Sequence, residues 1–204
     1  MKEHLYTYEN PCSERDIQRI VDLLNSGGVI AYPTDLNWAF ACSSSEVRAI
    51  DRIKALKPGK EQPFSLLCAD ISMVARYTNV DNFAYPILKK MLPGAYTVLL
   101  ERHRSLPRQL KDKRKLVGIR IPQRPLAIAI VRALDKPLVT TSVPVSSLGA
   151  PFHFGYEVAD TYGHAIDLLC DLGSELSGQE TTIFSLANGE IELIRLGAGS
   201  MDGF

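Results

Sequence analysis

A chain of 204 residues, 46% of them apolar, is long enough for one substantial core and short for two ordinary domains. Four scattered cysteines, Cys12, Cys42, Cys68 and Cys170, form no C-x-x-C pair, which excludes a disulfide scaffold and favours a reduced, cytoplasmic protein. The opening MKEHLYTYEN has no apolar leader and no apolar run approaches the roughly 18 residues of a membrane span, so secretion and membrane spanning are not expected.

In chain order, Ser13 is placed to cap a helix with Ile17, Ile20, Val21 and Leu24 on one face, ended by Gly27-Gly28. A buried strand follows, running from Gly28 towards Asp35. Ser44 or Ser45 then starts a second helix carrying Val47, Ile50 and Ile53. Residues 64–68 predict a buried strand, and residues 71–77 and 83–91 two short helices, the latter weakened by Pro86 unless that residue falls in the first turn. Strands at 96–100 and 117–121 flank a basic stretch. A helix at 126–134 and a strand at 138–142 come next. Residues 166–169, 182–186 and 191–195 predict strands, the last two joined by a hairpin at Asn188-Gly189. Alternating strands and helices predict an α/β fold, and the hairpin makes its sheet mixed. Residues 146–151 form a loop too short to mark a domain boundary, so residues 1–204 are expected to be a single domain.

Common sites are missing. There is no G-x-x-x-x-G-K-[ST] loop, and Gly59-Lys60 is too little to replace it. No G-x-G-x-x-G lies between a strand and a helix, and no G-x-S-x-G elbow is present. His4, His103, His153 and His164 have no metal-ligand spacing, so no metal site is expected. The most informative stretch is Gly28-Val29-Ile30-Ala31-Tyr32-Pro33-Thr34-Asp35. It is either a strand whose end presents a hydroxyl and a carboxylate to a cleft, or a strand followed by a turn in which Asp35 caps local backbone.

The zero net charge conceals an asymmetry. Residues 1–149 carry 22 Lys/Arg against 14 Asp/Glu, and residues 150–204 carry one Arg against nine acids. Residues 101–120 alone hold eight Lys/Arg and two acids, a segment suited to phosphates or polynucleotide, or simply a solvated charged loop.

The octapeptide resembles the opening motif of the YrdC/YciO family, and further matches follow in that family's order. They are Lys54 within IDRIKALKP, Pro93-Gly94-Ala95-Tyr96-Thr97 (like P-G-P-x-T), Gly118-Ile119-Arg120-Ile121-Pro122 (like G-x-R-x-P), the strand Thr140-Thr141-Ser142, Thr181-Thr182-Ile183 (like S-T-V) and Ile194-Arg195-Leu196-Gly197-Ala198 (like L-R-x-G-A). The likeness spans about residues 13–200. It implies a twisted α/β sandwich around a concave basic cleft. It also implies threonylcarbamoyl-adenylate chemistry linked to tRNA modification, in which L-threonine, bicarbonate and ATP, carried with Mg²⁺, give the adenylate and pyrophosphate. No tightly bound cofactor is implied. By the same likeness Lys54, Lys57, Arg120, Ser142 and Arg195 would contact nucleotide or phosphate, and Thr34 and Thr181 the amino acid; no residue is assigned as catalytic.

Departures from the pattern fall on ligand contacts. The arginine of K-x-R is Leu56, with Lys57 beside it; the asparagine of S-x-N is Pro144; the second threonine of Y-P-T-D-T is Leu36; and the acid after S-T-V-V is Ser185. These place the chain nearer the YciO branch, as a nucleotide-binding protein that is a weak or divergent synthase. The alternative is a non-catalytic protein binding double-stranded RNA through Arg102, Arg104, Arg108, Lys111, Lys113, Arg114 and Lys115, with the acidic C-terminal quarter facing away from the polynucleotide.

Overall fold

The computed structural model describes residues 3–57, 64–103, 106 and 115–202. Strand β1 (Glu3–Tyr6) leads into helix α1 (Glu14–Asn25), then β2 (Ile30–Pro33), β3 (Trp38–Ser43) and α2 (Val47–Ala55). Next come β4 (Ser65–Leu67), α3 (Ile71–Tyr77), α4 (Ala84–Met91), β5 (Tyr96–Glu101) and β6 (Leu116–Arg120). The chain continues with α5 (Pro125–Leu134), β7 (Leu138–Ser142), α6 (Gly155–Tyr162), β8 (Leu168–Asp171), β9 (Thr182–Ser185) and β10 (Glu192–Arg195). All ten strands join one sheet in the order β1-β8-β2-β3-β7-β4-β6-β5-β9-β10. The sheet is mixed: β1–β8, β8–β2, β4–β6 and β5–β9 are parallel, and the other neighbours are antiparallel.

Helix α1 forms as its sequence dictates. Ser13 Oγ accepts the amide of Asp16 at 3.3 Å, the buried face is Ile17, Ile20, Val21 and Leu24, and Gly27 follows at φ +83°. Pro86 lies in the first turn of α4, where its missing donor costs nothing. Helix α5 starts on Pro125 and ends at Asp135 in the left-handed region. Strands β9 and β10 form the expected hairpin, turning through Asn188 at φ 60° and Gly189 at φ 73°.

Other elements depart from expectation. Strand β3 was not expected, because Trp38–Ser43 is buried at every position and so lacks the alternation that marks a half-buried strand. Strand β1 buries only Leu5, and α6 only Gly155 and Val158, too little apolar periodicity to register. Neither Ser44 nor Ser45 caps α2, whose preceding residue is Glu46. Strand β8 starts two residues later than expected because Asp167 is engaged elsewhere. Its buried carboxylate accepts the Val29 amide at 2.9 Å and the Arg52 guanidinium at 2.7 Å, tying α2 to the entrance of β2. All four cysteines are free, and three are buried. Among the described residues no helix is long and apolar enough to cross a membrane.

Candidate functional site

Sheet register gathers the polar residues. Opposed residues, and residues two apart on one strand, share a face. Tyr32 opposes Ala39, Ala39 opposes Ser142, Thr140 opposes Ser65, Ser65 opposes Gly118, and Gly118 opposes Leu99. It follows that Tyr32, Thr140, Ser142, Ser65, Arg120 and Thr97 stand on one face of the sheet, although they come from five strands. Gly118 keeps this face open: a Cβ there would lie 2.7 Å from Ser65 Oγ and 3.1 Å from Thr97 Cγ2. Across the small side chain of Ala39, the fully buried Tyr32 reaches Thr140, with 3.0 Å between the hydroxyls. Thr140 gives its own proton to the Phe40 carbonyl, so Tyr32 is the donor in this pair. Burial pushes the Tyr32 phenol upward despite Arg120 nearby, which keeps it a neutral donor.

One part of the site is built on the turn after β2. The Thr34 hydroxyl is fully buried; it donates to the Asn37 carbonyl at 2.7 Å and accepts the amides of Leu36 and Asn37. These bonds hold the turn that reverses the chain into β3. Asp35 pairs with Arg120 at 3.1 Å, and both side chains are largely out of solvent. Arg124 Nε donates to the Thr34 carbonyl at 2.9 Å, while its Nη1 pairs with Glu9 at 3.0 Å. Of the two readings left open for the octapeptide, neither is complete: Thr34 makes the turn, and Asp35 reaches across to β6. Arg120 Nε is buried without a hydrogen-bond partner among the described residues, a donor with unused capacity inside a charged cluster.

A second part lies around Lys57, two residues past α2. Its ammonium donates to Thr141 Oγ1 and to Ser142 Oγ, both at 3.2 Å. Burial lowers its pKa from the ordinary lysine value; Glu180 opposes that shift and Arg195 adds to it, so both charges face the same ammonium. Arg195 donates to the Thr181 carbonyl through Nε and Nη2, at 3.3 and 2.9 Å, and pairs through Nη1 with Glu180 at 2.7 Å. Thr181 in turn bonds Thr97 at 2.8 Å. Ser142 and Glu180 line a cavity of about 110 Å³ together with Asn37, Trp38, Val143, Val145, Pro151, Phe152 and Gly178.

The structure therefore brings Lys57, Ser142, Thr181 and Arg195 into one neighbourhood, and Thr34 and Arg120 into another linked through Asp35. Lys54 is exposed on α2, and the hydrogen bonds and ion pairs just described do not involve it. Of the cations expected to meet RNA, Arg104, Arg108, Lys111, Lys113 and Arg114 lie outside the described residues. Arg102 and Lys115 are joined through their backbones, with Arg102 N–H donating to the Lys115 carbonyl at 3.0 Å. Glu180, from the acidic C-terminal quarter, sits beside Lys57 and Arg195; how that quarter lies relative to the basic stretch falls outside the described residues. Sequence reasoning missed Glu180, Arg124 and Thr97. Glu180 directly precedes the matched Thr181-Thr182-Ile183, and that adjacency was the available signal.

Comparison with known proteins agrees with this architecture. Residues 22–197 match the Sua5/YciO/YrdC family, described as telomere recombination. The chain is 31% identical to the uncharacterized protein YciO of Escherichia coli K12, over the whole of both chains. The crystal structure of E. coli YciO superposes with a TM-score of 0.91 at 30% identity, covering 99% of this chain and 98% of that one. Threonylcarbamoyl-AMP synthase of Bos taurus is 32% identical over 76% of this chain and 56% of its own length. Sua5 of P. abyssi, solved in complex with L-threonine, shares the fold with a TM-score of 0.83 at 21% identity, over 95% of this chain and 56% of that one. The chain belongs to the Sua5/YciO/YrdC family, as a single-domain α/β member related to the threonylcarbamoyl-AMP synthases.

Proposed function

We propose that the polar face of the sheet binds a nucleotide together with an amino acid, and that the protein is a weak threonylcarbamoyl-AMP synthase. The observation that carries this reading is Lys57, a part-buried ammonium held on the hydroxyls of Thr141 and Ser142 in the strand that carries the family's nucleotide-contacting serine. Lys57 stands one residue beyond Leu56, where K-x-R has its arginine, and on this reading substitutes for it. As a point charge it gives a phosphate one strong contact rather than a bidentate fork. Lys54, exposed one turn earlier, adds positive field without a fixed contact.

The chemistry asks little of the protein beyond placement and charge. The amino group of L-threonine takes up bicarbonate with loss of water to give a carbamate. A carbamate oxygen then attacks the α-phosphorus of ATP, and the bond to the β-phosphoryl oxygen breaks to release pyrophosphate. Such a reaction gains from alignment of attacking and leaving oxygens and from cations on the departing phosphates. Arg120, with a free buried donor, suits a carboxylate or carbamate oxygen; Lys57 and Arg195 suit phosphates; Ser142 adds a hydroxyl. Thr34 contributes by fixing its turn, and Thr181 by fixing Arg195. Magnesium would travel with the triphosphate. The departures at Leu36, Leu56 and Pro144 remove contacts and make the turnover slow.

The test is pyrophosphate release from ATP. The reading requires that release depend on both L-threonine and bicarbonate and fall at least tenfold in Arg120→Ala, roughly the loss of one charge-assisted hydrogen bond. Release that is indifferent to L-threonine would refute it.

A further inference from the structure

Among the described residues Glu180 is the carboxylate that pairs within the cation cluster of the second subsite, and its position is that of a ligand. It pairs with Arg195 Nη1 at 2.7 Å, lies close enough to Lys57 for its charge to act on that ammonium, and forms part of the cavity wall beside Ser142. The Nε and Nη2 of Arg195 donate to the Thr181 carbonyl, which orients Nη1 toward Glu180. An anion approaching Arg195 Nη1 therefore competes with Glu180. The cavity, at about 110 Å³, is also well below the volume of an ordinary ligand pocket, about 300 Å³ or more. The Glu180 side chain is 56% exposed and that of Arg195 38% exposed, so their pair is solvated and exchangeable.

We infer that Glu180 is a built-in occupant of the anion subsite, standing where a ligand phosphate would pair with Arg195 and Lys57, and that it sets the site's weak preference for phosphate-bearing ligands. This inference rests on the ligand site proposed above, but it concerns anion binding and does not require the synthase reaction. Glu180 competes with the phosphates of a nucleotide and of pyrophosphate alike. A neutral nucleoside meets no such competition.

Calorimetric titration with inorganic pyrophosphate and with adenosine tests it, in the parent protein and in Glu180→Gln. Glu190→Gln serves as control, because Glu190 is exposed in the turn between β9 and β10 and its loss changes the net charge equally. Glu180→Gln should bind pyrophosphate about fivefold more tightly, the upper end of what an exposed ion pair contributes, with adenosine unchanged. The gain should disappear in the double variant Glu180→Gln/Arg195→Gln. Unchanged, weakened or undetectable pyrophosphate binding in Glu180→Gln would overturn the inference, and so would an equal gain in Glu190→Gln, which would mark a net-charge effect. If Glu180→Gln tightens pyrophosphate while ATP, L-threonine and bicarbonate give no pyrophosphate release, the synthase reading fails and this inference stands.

Discussion

The guanidinium of Arg120 lies 3.1 Å from the carboxylate of Asp35, joining the end of β6 to the turn after β2 across 85 positions of sequence. The side chains are only 9% and 14% exposed, so each charge depends on the other for its solvation. Arg120 Nε nevertheless has no hydrogen-bond partner among the described residues. The pair thus holds the guanidinium in place while leaving one donor unused.

Removing one member of this pair should cost more than removing both. Asp35→Ala leaves a buried cation and is expected to destabilise the fold by about 3 kcal/mol. The double variant Asp35→Asn/Arg120→Gln should recover part of that loss. Urea unfolding of the single and double variants measures the difference; equal stability of Asp35→Ala and the parent would mean that the pair is solvated in solution.

Lys57 should carry an opposite signature in stability and binding. Its pKa is lowered mainly by burial, so between that value and the ordinary 10.5 the unfolded chain holds more protons than the native one. Stability from this group therefore rises with pH across that window, and below the native pKa the charged form opposes folding in full. Lys57→Met is expected to unfold at a slightly higher urea concentration at pH 7 while binding ATP less well. Isotope-labelled dimethyl-lysine NMR should reveal one lysine titrating below the others, absent in the variant. If every lysine titrates at its ordinary value, the ammonium is not in the partly dry site described.

The thiols should be silent in the native state. Burial raises Cys42 and Cys68 from 9.0 to about 12, and moves Cys170 in the same direction. A thiol reagent at pH 8 should label none of these three before unfolding and all of them after it. Because their native pKa values lie above the unfolded value, their contribution to stability is present below about pH 9 and is lost as pH rises towards 12. Rapid native labelling of Cys68 would contradict the packing around β4.

Gly118 should not tolerate a side chain. A Cβ at this position would press on Ser65 Oγ and Thr97 Cγ2 from the neighbouring strands. Gly118→Val is expected to cost about 1–3 kcal/mol, the usual penalty for overfilling a packed site, and to weaken ATP binding by displacing Arg120 two residues on. Stability and affinity equal to the parent's would show that the face has room to spare.

How far the sequence could be read follows from what each residue answers to. Helices α1 and α3, the strands around Leu66 and Val139, and the β9–β10 hairpin announce themselves through caps, apolar spacing or an Asn-Gly turn, all local signals. Strand β3 is buried on both faces and lacks a period, and β1 and α6 bury too few side chains to show one. The same division runs through the site. Motif likeness drew attention to Arg120, Ser142, Thr181 and Arg195, whose side chains the register and the hydrogen bonds set in two linked clusters. The Arg120–Asp35 pair and the Arg195–Glu180 pair are tertiary contacts between distant strands and loops, and nothing local in the chain encodes the choice of Lys57 over Lys54.

That choice makes the most direct test of the account, by calorimetric titration of ATP into the parent protein, Lys57→Ala and Lys54→Ala. The account predicts weak binding, with a dissociation constant on the order of 0.1 mM or above, lost in Lys57→Ala and little changed in Lys54→Ala. Tight ATP binding that survives Lys57→Ala, or binding lost only in Lys54→Ala, would contradict it.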